Sequence, residues 1–372
     1  MRRAAFRTLA PLAAALPFAL LAGCREAPTG RVGLVVPLSG PLAPWGHEMR
    51  IAVELALEDC PPERRPIVLQ VDNGGSARRT SSAVAQLAEQ GATAILGPLT
   101  TDNARAAGLT AQSLRLPAVV PAATGVQPGD GGFLFRTCAS EVELATALAR
   151  HAHAVLGLRR VAVAIDLSEG YSHGLAEAFT QEFRRLHGRI AGEVHFHGGA
   201  ADVQDVLDRV AALEVQGALV AAYGPDLVTM LDGARDPRLA DLVLLGGDAW
   251  AVEGLSGAVA GRVAGAYHAR HFDPQDQDEA VVSFVRRWRE RTGQLPGDVA
   301  ALTYDAARLL FEVHDARAPG PMLREALLDR REVAGITGRI SFDRSGAATR
   351  RTRLLVQVHD PGAAAVVARF GD

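Results

Sequence analysis

The feature that most restricts what this chain can fold into is a rhythm. Short apolar runs rich in β-branched residues alternate with stretches whose apolar residues recur at helical spacing. Residues 31–37 are the first such run, followed by Ser39-Gly40, and read as a buried strand. A helical pattern over 47–59, a strand over 66–71, a helix over 81–90 stopped at Gly91, a strand over 93–96, a helix over 102–114 and a strand over 117–120 complete the first series. After a short apolar run at 133–135 the rhythm restarts, with helices over 141–156, 175–187, 203–213 and 226–235 leading into strands over 161–165, 190–195, 218–222 and 242–245. Continuous apolar strands joined by helices predict a parallel sheet covered on both faces. Each series is about the size of one domain. The last third differs: helices over 278–292 and 299–316, a shorter one near 322–328, and late strands at 340–342 and 354–358. The expected fold class is α/β, with two doubly wound parallel-sheet lobes.

Bulk properties fit that expectation. The 372 residues are 48% hydrophobic and 22% charged, enough for two cores. A formal net charge of -3 carries no electrostatic footprint for nucleic acid, and no such partner is expected. The N-terminus is set aside from fold reasoning. Arg2, Arg3 and Arg7 precede an apolar stretch at 8–22, interrupted by Pro11 and Pro17, that ends in Leu21-Ala22-Gly23-Cys24. That arrangement predicts a secretory signal over 1–23. The run is short and proline-broken for a membrane span. Its end resembles a bacterial lipobox, which implies cleavage before Cys24, acylation of that residue, a tether over 24–30 and a lipid anchor in the cell envelope. Cys60 and Cys138 show no spacing signal, and no bridge is assigned.

In open α/β sheets ligands bind beyond the carboxyl ends of the strands. The sequence places there Trp45 in the first loop, Leu99-Thr100-Thr101-Asp102 after the third strand and Ala122-Ala123-Thr124 after the fourth. In the second series the corresponding segments hold Tyr171, Tyr223 and Asp248. Hydroxyls come from Thr100, Thr101 and Thr124. A helix start after Thr101 presents free N–H groups and a positive dipole end, suited to a carboxylate. Asp248 suits an ammonium, and the three aromatics supply walls. Together these describe a zwitterionic amino acid. Singly, each has a plainer reading: Thr101 and Asp102 as helix caps, the tyrosines as surface aromatics. Their joint placement at one edge of two sheets is what points to a ligand.

No G-x-G-x-x-G follows the first strand, and the chain has no P-loop and no G-x-S-x-G, so neither an enzyme nor a cofactor is expected. His195-Phe196-His197 would place two imidazoles on one strand face, but no acidic or Cys partner is near in sequence, and no metal is assigned.

The motifs together resemble the leucine/isoleucine/valine-binding protein family of bacterial ABC importers, over nearly all of 31–358. The resemblance is carried by Leu38-Ser39-Gly40-Pro41 with Trp45-Gly46, Ile95-Leu96-Gly97-Pro98, Pro121-Ala122-Ala123-Thr124, Phe135-Arg136-Thr137, Tyr171-Ser172-His173-Gly174 and Thr303-Tyr304-Asp305-Ala306. It implies two lobes joined by three crossings, closing on ligand like a hinge. The crossings are expected near Thr137, Tyr267 and Ile340, giving one lobe of 31–137 plus 268–339 and another of 138–267 plus 340–372. It also implies a ligand carboxylate on Thr100 and Thr101, an ammonium on the Ala122 carbonyl, Thr124 and Asp248, and a side-chain pocket of Trp45, Tyr171 and Tyr223. Two positions depart from the family pattern: Asp248 stands where Glu is typical and Trp45 where Tyr is. The expected role is that of an extracytoplasmic capture protein for a small solute, working with membrane permease subunits. A sensing receptor for amides, aromatic acids or another small solute is the alternative on the same fold.

Overall fold

The computed structural model describes residues 30–197, 200–233, 236–250, 265–315, 317–350, 353–358 and 364–370. The expected signal, Cys24 and most of the tether lie outside the described residues.

The first lobe is built on a five-stranded parallel sheet, β1 (Arg31–Val36), β2 (Ile67–Asp72), β3 (Ala94–Leu96), β4 (Ala118–Val120) and β5 (Leu134–Arg136), in the order β2-β1-β3-β4-β5. Between them run α1 (Ala43–Asp59), α2 (Ala77–Glu89) and α3 (Thr101–Leu114). β3 and β4 are buried at every residue, and β1 at all but its first. This is the two-sided burial that their unbroken apolar runs predict. One face packs on α2 and α3 through Val84, Leu87, Ile95 and Ala107. The other packs on α1 and on helices from the last third of the chain, α8 (Glu279–Thr292), α9 (Asp298–Val313) and α10 (Gly320–Leu328), through Met49, Phe284, Trp288 and Phe311.

The second lobe is built on a seven-stranded sheet. Its parallel part runs β10-β9-β8-β6-β7, from β6 (Arg160–Asp166), β7 (Arg189–Phe196), β8 (Gly217–Ala221), β9 (Val243–Gly246) and β10 (Tyr267–Arg270). α4 (Glu141–Ala154) and α5 (Gly170–Arg185) cover one face; α6 (Ala200–Ala212) and α7 (Gly224–Gly233) cover the other. β14 (Arg353–Val358) and β15 (Ala364–Phe370) add an antiparallel edge beside β10.

A small antiparallel sheet, β11 (Val333–Gly335), β12 (Gly338–Phe342) and β13 (Ala348–Arg350), was not anticipated as a unit. It moves the last crossing. Ile340, Phe342 and Ala348 lie in the first lobe's core, with Phe342 edge-on to Phe135 at 5.2 Å. The chain therefore reaches the second sheet only with β14, later than Ile340. The first and third crossings run side by side, since Arg136 bridges to Ala347 and its N–H donates to the Gly346 carbonyl at 3.0 Å.

α1 also begins earlier than the sequence pattern indicates, at Ala43. Pro44 sits in its first turn, where a fixed φ and a missing N–H cost nothing. Trp45 is thus part of a helix rather than of a loop. Gly46 permits this: a Cβ there would run into the Pro37 carbonyl at the end of β1.

Asp305 on α9 ties that helix to the small sheet. Its carboxylate accepts from the Ile336 and Thr337 N–H groups, each at 2.9 Å, and from the Thr337 hydroxyl. Asp305→Ala would strand those buried donors and should destabilise the fold by on the order of 3 kcal/mol. At this domain size that is roughly 6–12 °C in Tm, measurable by thermal unfolding.

Candidate functional site

Both parallel sheets reverse their strand order once, between β1 and β3 in the first lobe and between β6 and β8 in the second. A crevice opens at such a point because the flanking helices leave on opposite faces. The segments leaving these four strands hold Trp45, Thr100, Tyr171 and Tyr223, and the two crevices face one another.

Trp45, Leu99, Thr100, Ala122, Tyr223, Asp248, Ala249, Asp298, Val299 and Leu302 line one cavity between the lobes. Six of the nine expected ligand residues are therefore brought together directly. The other three stand behind them. Tyr171 stacks on Tyr223 with ring centroids 4.5 Å apart and donates its hydroxyl to Asp248 Oδ1 at 3.0 Å. Thr101 hydrogen-bonds Tyr223, and its Oγ1 accepts from the Gly125 N–H at 3.2 Å. Thr124 is fully buried on the same side. Trp45 meets Tyr223 edge-on at 6.0 Å, so aromatic surface from the two lobes is in contact. Thr100 occupies the N-cap position of α3 but makes no side-chain cap bond, which leaves its hydroxyl to the cavity. Burial and the Asp248 charge hold the Tyr171 and Tyr223 hydroxyls well above their ordinary range, so both remain protonated donors.

Three residues at the site were not singled out from the sequence. Glu141, the first residue of α4, is 5% exposed, and its Oε2 has no hydrogen-bond partner among the described residues. Its carboxyl lies against Gly125 of the first lobe and Gly174 of α5, where any Cβ would collide with it. Its pKa is pushed up to about 8, first by burial and next by the charge of Asp248. Asp298 opens α9; Arg270 donates to its Oδ1 at 3.1 Å and the His271 N–H to its Oδ2 at 2.6 Å. His271, 2% exposed, holds Nε2 3.5 Å from Asp248 Oδ2. An E three residues after an S in Ser140-Glu141-Val142-Glu143 reads as a capping box, and one is present between Ser140 and Glu143. That motif drew no notice to the acid between them.

The Thr124 hydroxyl is the second orphan. It too is buried without a hydrogen-bond partner among the described residues, and the Thr124 carbonyl accepts the Glu141 N–H at 3.1 Å. A hydroxyl and a carboxyl, both desolvated and both unmet, thus share one corner of the cleft. Buried polar groups are ordinarily paired, so these two atoms leave hydrogen-bonding capacity open beside the cavity. The space is narrow: the cavity is about 30 Å³, near the share of one water molecule in the liquid. A solute larger than that requires the walls to part.

A larger groove of about 680 Å³ lies away from the cleft, between Cys60, Arg64, Arg308, Glu312 and Arg330. Its polar groups are largely spent on one another: Arg64 donates to the Glu312 carbonyl at 2.9 Å and Arg330 pairs with Glu312 at 3.0 Å. Size alone therefore does not make it the better candidate.

The sequence pattern of the family described as periplasmic binding protein matches residues 29–363. Among curated proteins the chain is similar to a Leu/Ile/Val-binding protein homolog of Brucella melitensis, 28% identical over 200 residues, covering 52% of this chain and 53% of that one. It is also similar to the Leu/Ile/Val-binding protein BraC3 of Rhizobium johnstonii, 25% identical over 64% of this chain and 65% of that one. The matches thus span between half and two thirds of these relatives' lengths. Among solved structures, the leucine-binding protein LivK of Thermotoga maritima superposes with a TM-score of 0.83 at 23% identity, over 92% of this chain and 99% of that one. A solute-binding protein of R. palustris in complex with benzoate gives 0.81 at 18% identity, over 92% and 96%. At these identities the solved structures establish the shared two-lobed fold.

Glu141 generates a pH prediction. A carboxyl whose folded pKa is raised stabilises the folded state fully below its ordinary value of 4.5, and that contribution fades as pH rises through about 8. Relative to wild type, Glu141→Gln should flatten the fall in stability across that window, by on the order of 5 kcal/mol in total. Melting curves taken at matched ionic strength would show it; parallel curves for the two proteins would count against the buried neutral acid.

Proposed function

The chain belongs to the periplasmic binding protein family, and from that premise we propose that it captures an α-amino acid between its lobes and hands it to the membrane subunits of an ABC importer. The observation that carries the reading is the pair of orphans, Thr124 Oγ1 and Glu141 Oε2, buried behind the wall of the cavity that Asp248 lines. An ammonium supplies three donors and a positive charge, which is what a hydroxyl, a buried acid and a carboxylate lack there. The first turn of α3 with the Thr100 and Thr101 hydroxyls is the place for the carboxylate, and the Ala122 carbonyl adds an acceptor for the ammonium. Trp45, Leu99, Tyr171 and Tyr223 shape the space for the side chain. The names of the curated relatives, Leu/Ile/Val-binding, make branched-chain amino acids the first candidates.

Opening and closure follow from the same geometry. Ligand bound to one lobe alone meets only part of this set; the remainder is satisfied when the second lobe arrives, so the ligand binds the closed form better and shifts the population toward it. Neither catalysis nor a cofactor enters the reading. The lipobox-like end at Cys24 fits an anchored protein of the cell envelope, held beside its permease.

The second reading is sensing or capture of an aromatic acid. It draws on the benzoate complex of the R. palustris protein and on the aromatic walls of this cleft. Such an acid would use the α3 site and leave Thr124 and Glu141 unmet, which favours the amino acid.

Thermal melting against amino acids, amides and aromatic acids separates the two. A ligand at ~1,000 times its Kd adds about 4 kcal/mol, roughly 8–16 °C in Tm; a shift confined to aromatic acids would remove the ammonium site. With an amino-acid ligand identified, Asp248→Ala should weaken binding at least about 30-fold, because it leaves a buried ammonium short of its counter-charge. Tyr171→Phe, which deletes one hydrogen bond, should cost under about tenfold. Titration calorimetry would reveal equal losses if the assignment were mistaken. For the anchor, Cys24→Ala should abolish incorporation of labelled palmitate in a bacterial host and release the protein from the membrane fraction.

A further inference from the structure

Helix α5 begins without a cap of its own. Its N-cap residue, Glu169, makes no side-chain bond to the first turn. The Gly170 N–H donates instead to Asp102 Oδ2 at 2.8 Å, and Asp102 lies in the first turn of α3, in the other lobe. The approach is close. A Cβ on Gly170 would stand 2.5 Å from both Asp102 Oδ1 and Arg105 Nη1. Arg105 donates to Asp102 Oδ1 at 2.8 Å and so aims the carboxylate, leaving Oδ2 for the neighbouring lobe. Within the sequence Asp102 reads as a cap for α3; the structure turns it outward to cap α5.

We infer that Asp102 is a latch: a helix cap supplied from the opposite lobe, made only when the lobes meet, that sets how long a captured solute is held. The argument rests on the reading of the cleft as a ligand site. The energetics are those of capping. An anion at a helix N-terminus meets an orphan N–H and the positive end of the dipole. When the lobes part, the N–H turns to water while Asp102 keeps its exposed partner Arg105, so the bond's net contribution falls on the closed form. The next residue, Tyr171, stacks on Tyr223 and donates to Asp248. Fixing the start of α5 therefore also fixes the wall that faces the ligand. Asp102 touches none of the residues assigned to ligand contact on α5, which makes it a positioning residue rather than a binding one.

A cap of this kind is worth a factor of roughly 2–30 in an equilibrium constant. In Asp102→Ala, the dissociation of L-leucine measured by stopped-flow fluorescence should be faster by about that factor, with the association rate little changed. Hydrogen exchange at amides 170–173 should accelerate in the same variant with leucine bound, while exchange elsewhere in α3 and α5 stays at the wild-type rate. The ligand-free Tm should also stay within about 1 °C of wild type, because Asp102 and Arg105 form a surface pair. Wild-type exchange at those amides in Asp102→Ala would overturn the latch, as would an unchanged dissociation rate. If wild type shows no response to leucine, the amino-acid reading loses its first candidate, and the same two comparisons made with the solute that the melting panel identifies decide the latch.

Discussion

A strand buried on both faces can present polar groups only at its ends, and the layout of this molecule follows from that constraint. β1, β3, β4, β6 and β8 lie between layers of helices, so nearly every side chain along them is committed to a core. Chemistry is pushed into the turns where strands give way to helices, and the two order reversals concentrate it at two crevices. Because the crossings join the lobes at one edge, those crevices face each other. Residues as distant in sequence as Trp45 and Asp248 come to share a wall without any local signal linking them.

The cleft so formed is unusually acidic for its burial. Asp248, Glu141 and Asp298 stand within it or at its margin; Arg270 meets Asp298, whereas Arg105 is directed to Asp102 and Arg136 to the Val126 and Cys138 carbonyls. Burial raises both the Asp298 and the Glu141 carboxyls above ordinary values, and Arg270 offsets part of that at Asp298. Asp248 in the second lobe lies 3.5 Å from His271 Nε2 at the second crossing, and the His271 N–H donates to Asp298 in the first lobe, so the two acids flank the hinge.

Much of the architecture was legible because period reports burial. The two strand–helix series, their faces and the loops that carry Thr100, Thr124, Tyr223 and Asp248 could all be read from apolar spacing. What escaped had no periodic signature. β11 and β13 are three residues each, too short to alternate visibly, and without them Ile340 reads as a crossing instead of a core residue. Trp45 reads as a loop residue because the helical apolar pattern shows only from residue 47 on, although Pro44 is at home in a first turn. Glu141 and His271 were missed for another reason: an acid beside a capping box and a histidine after a strand are ordinary in sequence, and only burial without partners marks them.

The first lobe is discontinuous in sequence, and this bears on how the protein is made. Its central strands are complete by Arg136, yet Phe284, Trp288, Phe311 and Phe342, which cover one of its faces, come some 150 to 200 residues later. An emerging chain can form the sheet's local βα units but cannot seal that face until β12 has been synthesised. Contacts of such sequence separation form late and slowly. The unfinished lobe thereby delays a compact state until most of the sequence exists.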